Sequence, residues 1–298
     1  MQLGRIAKDQ IAAKSVWLAT VFVGLLLFLI IGGLYLKSAP LLETHSLSDL
    51  LFKSIWKPRK DQFGFLPYIL STVYVTVISL VLAVPLCILC SIYLSEYANK
   101  KVKAFVTSLV DILAGIPSVI FGIWGIILIV PFISETLAPA FGEDDTTGYS
   151  ILAGGIVLAI MAFPIIIHIM LEVLRTVPKE LRDASLSLGA NKWETIKKVV
   201  LRKAAPGISA AVVLGFSRAF GETLAVLMVV GNTAIIPHTV FDSGYPLPAL
   251  IANNYGEMMS IPMYDSALMF AALLLLTVIL LFNVVARVVI MRLERKMI

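Results

Sequence analysis

Arg218 and Glu222 are the ionisable side chains whose surroundings most clearly demand a chemical reason. They stand in Leu214-Gly-Phe-Ser-Arg-Ala-Phe-Gly-Glu222, within an apolar segment over residues 206–232 that is long enough to cross a bilayer. At 1.5 Å per residue, Arg218 lies roughly 18 Å into that segment, near the midplane. Holding a guanidinium there costs about 3 kcal/mol even on the lenient insertion scale, so such residues face a bundle interior or an aqueous path. Glu222 follows at i+4, the spacing that puts two side chains on one face of a continuous helix. Two readings follow. The pair either neutralises itself as a buried ion pair, or it serves something that needs a positive charge halfway across a membrane.

The rest of the chain supplies the membrane. Hydrophobic residues make up 59% and charged residues 14%, with mean hydropathy +0.95 and net charge +5. A soluble domain carries roughly 25% charged residues, so this composition is that of an all-α integral membrane protein. Cys87 and Cys90 form a C-x-x-C inside an apolar helix and read as small buried hydrophobes rather than a disulfide or redox pair. His45, His168 and His238 are scattered and suggest no metal site.

Six spans can be laid out. Residues 1–14 are short and polar, and 15–36 carry no charge, too long an apolar run for a cleavable signal. An outer loop is expected over 37–62, with Leu47, Leu50, Leu51, Ile55 and Trp56 at helical spacing for a short interfacial helix. A second span starts near Pro67, and a third is expected over 104–134, bent or thinned at Pro117 and open to close approach at Gly122 and Gly125. Asp111, early in that third span, reads as a structural hydrogen-bonding residue near the surface. The fourth span covers 149–174 with a kink at Pro164, the fifth carries Arg218, and the sixth covers 266–286. The intervening stretch 235–265 reads as an outer loop.

Lys and Arg distribute unevenly over these loops. Arg5, Lys8, Lys14, Lys100, Lys101, Lys103, the basic stretch 175–203, and Arg287, Arg292, Arg295 and Lys296 all fall on the side bearing both termini. The opposite side holds only Lys37, Lys53, Lys57, Arg59 and Lys60, while its other loops are acidic or uncharged. The positive-inside rule therefore puts both termini in the cytoplasm. The basic first outer loop either attracts anions or a partner, or snorkels its lysines to headgroups.

Within 175–203, Pro178-Lys-Glu-Leu-Arg-Asp-Ala-Ser-Leu-Ser-Leu-Gly189 has proline at the start and glycine at the end of a short amphipathic helix. Leu181, Ala184, Ser185, Leu186 and Leu188 give it a small apolar surface, suited to a partner's groove. This stretch resembles the EAA loop of ABC importer permeases, in which Glu-Ala-Ala, three residues, Gly, nine residues and Ile-x-Leu-Pro dock on an ATPase. Here the matching residues are Asp183-Ala184-Ser185, Gly189 and Val199-Val200-Leu201-Arg202, with the spacing intact. Phe63-Gly-Phe-Leu-Pro67, Ile116-Pro-Ser-Val-Ile-Phe-Gly-Ile-Trp-Gly125 and Ser217-Arg-Ala-Phe-Gly-Glu-Thr-Leu-Ala-Val226 are similar to the PstC branch, the phosphate-specific permeases.

The resemblance implies a six-helix, type I importer permease: an N-terminal segment, first span and loop over 1–62, then a permease core over 63–298 with the coupling loop at 175–203. It implies a heterodimer with a PstA-like sister permease, two PstB-like ATPase subunits and a PstS-like external phosphate-binding protein, in a bacterial or archaeal cytoplasmic membrane. It implies a phosphate path lined by Arg218, Glu222, Ser217 and Thr223, and ATPase coupling through Glu180, Asp183, Ala184, Ser185 and Gly189. Phosphate is tetrahedral and anionic, and the planar arginine fork suits it. Glu222 would hold the guanidinium or accept a hydrogen from a phosphate hydroxyl. No G-x-x-x-x-G-K-[ST] occurs, so ATP and Mg belong to the partner ATPase and the chain itself binds no cofactor. A permease for another oxyanion, such as molybdate or sulfate, and a stand-alone anion channel remain the competing readings. A membrane enzyme does not fit, for no nucleophile–base or metal-ligand constellation is present.

Overall fold

The computed structural model describes residues 2–143, 145–256, 261 and 263–295. Lys296, which enters the charge pattern above, and Asp144, of the acidic outer run Glu143-Asp-Asp145, lie outside the described residues, as do residues 257–260 and 262 of the last outer loop. Six helices are long and apolar enough to cross a membrane. They are α1 (Gln2–Thr44), α3 (Leu66–Ile92), α5 (Ser118–Ala140), α6 (Ile151–Thr176), α8 (Lys192–Gly221) and α11 (Tyr264–Arg295). Between them lie the short helices α2 (Leu47–Phe52), α4 (Lys100–Gly115), α7 (Lys179–Ser187), α9 (Leu224–Val229) and α10 (Leu247–Asn254).

Helix α1 runs past the expected span and takes in the start of the expected outer loop. Its 43 residues measure about 64 Å, twice the hydrocarbon thickness, so it stands well out of the bilayer. Packing explains the extension: Ser38 and Leu41 are fully buried, and the Ser38 hydroxyl donates to the Leu34 carbonyl at 2.6 Å. The short helix expected over 47–56 stops at Phe52, and its Leu50 is buried in the core. Trp56 instead enters a small hairpin, β1 (Trp56–Lys57) against β2 (Gln62–Phe63). There its ring meets Phe63, Phe65, Tyr68 and Tyr264 edge-on, at centroid distances of 5.0–6.1 Å.

The third span begins later than the sequence suggests. Residues 104–115 belong to α4, a separate helix capped by Asn99, whose side chain accepts the Val102 N–H at 2.9 Å. The chain turns extended at Ile116 and Pro117, and only then does α5 start. The residue before a proline is pushed out of helical geometry, so what reads as a kink becomes a break. Within α5, π turns at Gly125–Ile129 and Ile133–Leu137 accommodate Pro131 and Pro139. The expected close approach is present: a Cβ on Gly122 would lie 3.2 Å from the Ala225 Cα of α9.

Helices α3 and α6 form the centre of the bundle. Ser150 caps α6 by accepting the Ala153 N–H at 3.1 Å, and Pro164 sits inside the helix as expected. Gly154 and Gly155 let α3 lie directly against α6, the small-residue contact that membrane helices use in place of a hydrophobic driving force. The described part of the outer stretch 235–265 is not all loop. It contains α10, with Leu247, Pro248, Ala249 and Leu250 buried. The Tyr245 and Leu247 N–H groups donate to Ser71 Oγ (3.0 Å) and Thr72 Oγ1 (2.8 Å) of α3, satisfying backbone that would otherwise be buried unpaired.

Asp242 staples the start of this stretch by accepting the His238 and Thr239 N–H groups at 2.7 and 2.8 Å. Burial pushes its carboxyl up, but the two backbone donors outweigh that and hold it below the usual carboxylate range. A lowered folded pKa contributes stability above the unfolded value of about 3.9 and loses it as pH falls through the folded value. Asp242→Asn is expected to flatten the acid limb of thermal stability in detergent while leaving neutral-pH spans intact. A second expectation concerns the bundle centre. A side chain on Gly155 would press within 2.9 Å of Ile78 Cβ, so Gly155→Val should lower stability by about 1–3 kcal/mol in the same assay, whereas Gly24→Val, in open space, should not.

Candidate anion path and coupling face

Helix α8 carries both candidate regions, one at each end. It begins with a capping box: Asn191 Oδ1 accepts the Glu194 N–H at 2.9 Å, and Glu194 Oε2 accepts the Asn191 N–H at 3.0 Å. It continues through a π turn at Ile196–Val200 and ends at Gly221. Glu222 is extended, with ψ 128°, and the chain re-enters as α9. Glu222 therefore does not share a helix face with Arg218, which corrects the i+4 expectation. The physical reason is packing. Ala225, Val226 and Val229 of α9 are buried, and the approach of α9 to Gly122 and Gly125 of α5 requires the helix to break first. Gly221 weakens the helix at that point.

The Glu222 carboxylate accepts the Ala225 N–H at 3.3 Å, at the start of α9. Among the described residues no ion pair joins Arg218 to Glu222, so the self-neutralised pair is not what the chain forms. Arg218 is exposed on the surface of the single chain. With Ala219 and Glu222 it lines a crevice whose other wall is Leu158, Met161 and Ala162 of α6. Those three residues lie roughly 10–16 Å from the Ile151 end of a helix about 39 Å long. The guanidinium thus sits at membrane depth without a carboxylate of its own, an arrangement that calls for water, an anion or a partner at this face. The Ser217 hydroxyl, one residue before Arg218, donates to Asn283 Oδ1 of α11 at 2.9 Å, and Thr223 Oγ1 donates to the Gly221 carbonyl at 3.3 Å.

The other end of the bundle presents α7. Pro178 precedes its first turn, and Gly189 follows it at φ +85°, where only glycine is unstrained. Glu180, Asp183, Ala184 and Gly189 are exposed, while Ser185 is half-buried with its Oγ 2.9 Å from Thr195 Oγ1. Leu188 is 89% exposed and Trp193 49%, so the apolar surface expected on this loop is open in the single chain.

Arg182 and Glu96 escaped the sequence reading. Arg182 Nη2 donates to Glu96 Oε1 at 2.8 Å and to the Leu174 carbonyl at 3.1 Å, and its Nη1 donates to the Val177 carbonyl. The two side chains are 19% and 11% exposed. This clamp ties α7 to the turn after α3, and its members are 86 residues apart, beyond any local pattern. The one available signal was Glu96, an acid in the basic turn before Lys100. Glu96→Gln should loosen α7 by roughly 1.5–3 kcal/mol, the value of a charged hydrogen bond. Hydrogen exchange confined to residues 178–189 should accelerate while α3 and α6 stay protected.

Comparison with known proteins places this geometry. Residues 84–298 match the family described as "Binding-protein-dependent transport system inner membrane component". The "Probable phosphate transport system permease protein PstC" of Methanocaldococcus jannaschii is 31% identical, covering 96% of this chain and 95% of that protein. PstC of Xylella fastidiosa is 33% identical over 83% of this chain and 80% of its own length. The probable ABC transporter permease protein YqgH of Bacillus subtilis is 38% identical over 78% and 74%. Among solved structures, the inward-facing MetNI methionine ABC transporter superposes with TM-score 0.55 at 21% identity, over 75% of this chain and 91% of that one, and indicates a common fold. A multi-pass membrane protein with these relatives and this fold belongs to the family of binding-protein-dependent transport system inner membrane components.

Proposed function

We propose that this chain is the channel-forming subunit of an ATP-driven importer of inorganic phosphate. It is a transporter subunit and not itself the ATPase. The observation that supports the assignment is Arg218, a guanidinium at membrane depth with no carboxylate partner among the described residues, in a chain whose near-full-length relatives are phosphate permeases. In this reading phosphate passes Arg218, with Ser217, Glu222 and Thr223 around it. In this reading Glu222, one of whose oxygens accepts the Ala225 N–H, accepts a hydrogen from a phosphate hydroxyl rather than pairing with the arginine.

The partners follow from the family, whose members are inner-membrane components of binding-protein-dependent transport systems. A PstA-like sister permease covers the exposed Arg218 face, and a PstS-like protein delivers phosphate. A pair of PstB-like ATPase subunits, holding ATP and Mg, seats α7 through Glu180, Asp183, Ala184, Ser185 and Gly189. The permease core runs over 63–298, with 1–62 as an added span and loop. Both termini face the cytoplasm of a bacterial or archaeal cell, and the protein resides in the cytoplasmic membrane.

Uptake by the reconstituted complex tests the cargo. Labelled phosphate uptake should be competed by unlabelled phosphate and not by sulfate or molybdate; equal competition by either would move the assignment to another oxyanion. The coupling face is tested by Gly189→Val, which forces a branched side chain to φ +85°, and by Ala184→Glu on the exposed face. Both variants should insert normally yet lose most ATP-dependent uptake. Parental uptake in both would remove α7 from the coupling role. Cysteines introduced at Lys53 and Asp242 should react with an impermeant reagent from outside, and those at Lys101 and Lys192 should not. Outside labelling at position 192 would reverse the orientation.

A further inference from the structure

The stripe of α4 turned towards the bundle runs through Lys103, Val106, Thr107 and Val110, with Val110 buried and the others half-buried. Val106 and Val110 suit that face, since both pack in the core. A lysine in its first turn does not. Lys103 instead lines a cleft of about 660 Å³, shared with the turn after α3, the end of α6, α7 and the start of α8. That volume falls in the range of ligand sites, roughly 300–1,000 Å³.

Five cationic side chains line the cleft, Lys103, Arg175, Lys179, Arg182 and Lys192, against the acids Glu96 and Asp183. Arg182 is committed to Glu96, and Arg175 pairs at 2.6 Å with Glu172, which does not line the cleft. Lys192 Nζ lies 4.4 Å from the centre of the Tyr97 ring. Lys103 and Lys179 have no carboxylate in salt-bridge reach among the described residues, Asp183 included. On α7 the cleft takes Lys179, Arg182, Asp183 and Leu186, a single stripe at i, i+3, i+4 and i+7. Glu180 and Ala184 stand more than roughly 100° further round, so that edge of α7 stays open to an ATPase.

The cleft lies at the level of lipid headgroups. Measured from the middle of α6, Arg175 is roughly 17 Å along the helix, past the ~15 Å half-thickness of the hydrocarbon. Two residues after Lys103, the exposed apolar flank Phe105, Leu109 and Ile112 begins. Tyr93, Tyr97 and Trp193, all about half-exposed, stand at the same end, as aromatic side chains do at a membrane–water boundary.

We propose that this cleft binds the phosphate headgroup of an anionic phospholipid, held by Lys103 and Lys179, and that the bound lipid ties α7 to α4. A phosphodiester supplies the negative charge that both lysines lack. Val177, Leu186 and Ile196 line the same cleft and suit the glycerol and first methylenes of a lipid, where a free phosphate would need donors. Basic pockets between spanning helices at the cytoplasmic surface take such headgroups. The assignment is independent of which anion the permease carries.

The test places the assembled complex in phosphatidylcholine nanodiscs and adds phosphatidylglycerol stepwise. Mass spectrometry of the intact complex counts tightly held phosphatidylglycerol, and hydrogen exchange over residues 178–189 reports the hold on α7. In the parent, phosphatidylglycerol should be retained and that exchange should slow. Indifference of the parent to phosphatidylglycerol would overturn the proposal without any variant. Lys103→Gln with Lys179→Gln should bind the lipid about thirtyfold more weakly, roughly fivefold for each lysine at an anionic surface, and lose the slowing. Lys100→Gln with Lys101→Gln, two exposed lysines that do not line the cleft, should behave as the parent. Equal losses in the two double variants would reduce the effect to general surface attraction and overturn the proposal. Slowing by inorganic phosphate in phosphatidylcholine alone, removed by the first double variant, would make the ligand a free anion and overturn the lipid assignment. Loss of the ATPase from the first double variant, with lipid retention unchanged, would give the cleft to an acidic protein surface and overturn it equally.

Discussion

A guanidinium at membrane depth carries a desolvation cost that some neighbour must offset, and most of the architecture around Arg218 can be traced to how that is arranged. A carboxylate four residues along one helix would neutralise the charge within the chain and leave nothing for an anion. The break after Gly221 prevents this, since Glu222 leaves the helix and accepts the Ala225 N–H instead. The break is itself held by packing, as α9 buries Ala225, Val226 and Val229 beside the glycines of α5. Small residues in α5 thus keep a charge in α8 available, through contact and without any bond to it.

The same economy joins the two ends of the bundle. Helix α8 is continuous from the capping box at Asn191 to Gly221, and α3 runs from the outer hairpin to the turn that carries Glu96. Arg182 fastens α7 to that turn, and Ser185 fastens it to Thr195 at the start of α8. A displacement of α7 by a docked ATPase would therefore act directly on both α3 and α8. The proposed coupling needs rigid helices with clamped ends, and the hydrogen bonds named above are those clamps.

Much of this was legible in the sequence where one physical signal dominated. Long uncharged apolar runs marked α3, α6 and α11, and Pro178 with Gly189 marked the limits of α7. Elsewhere tertiary contacts overrode the local pattern. Residues 37–44 are polar enough to read as loop, yet buried Ser38 and Leu41 hold them helical. Pro117 reads as a kink in one span, but the extended residue before it separates α4 from α5. Helix α10 is only 8 residues long and flanked by prolines, glycine and asparagines, so nothing local distinguishes it from a loop. At the candidate site, Arg218 was found by its charge in an apolar segment. Its lack of a carboxylate partner and the Arg182–Glu96 clamp both depend on contacts between distant segments.

The central claim is that Arg218 coordinates the transported anion. The direct measurement is phosphate uptake by an Arg218→Gln complex that assembles normally and hydrolyses ATP. Loss of the charge and of the two-pronged donor geometry should reduce uptake roughly ten- to a hundredfold, the range for one or more charged hydrogen bonds. Arg218→Lys, which keeps the charge alone, should fall between that variant and the parent. Uptake at the parental rate by a well-assembled Arg218→Gln complex would contradict the account and leave the arginine a structural residue.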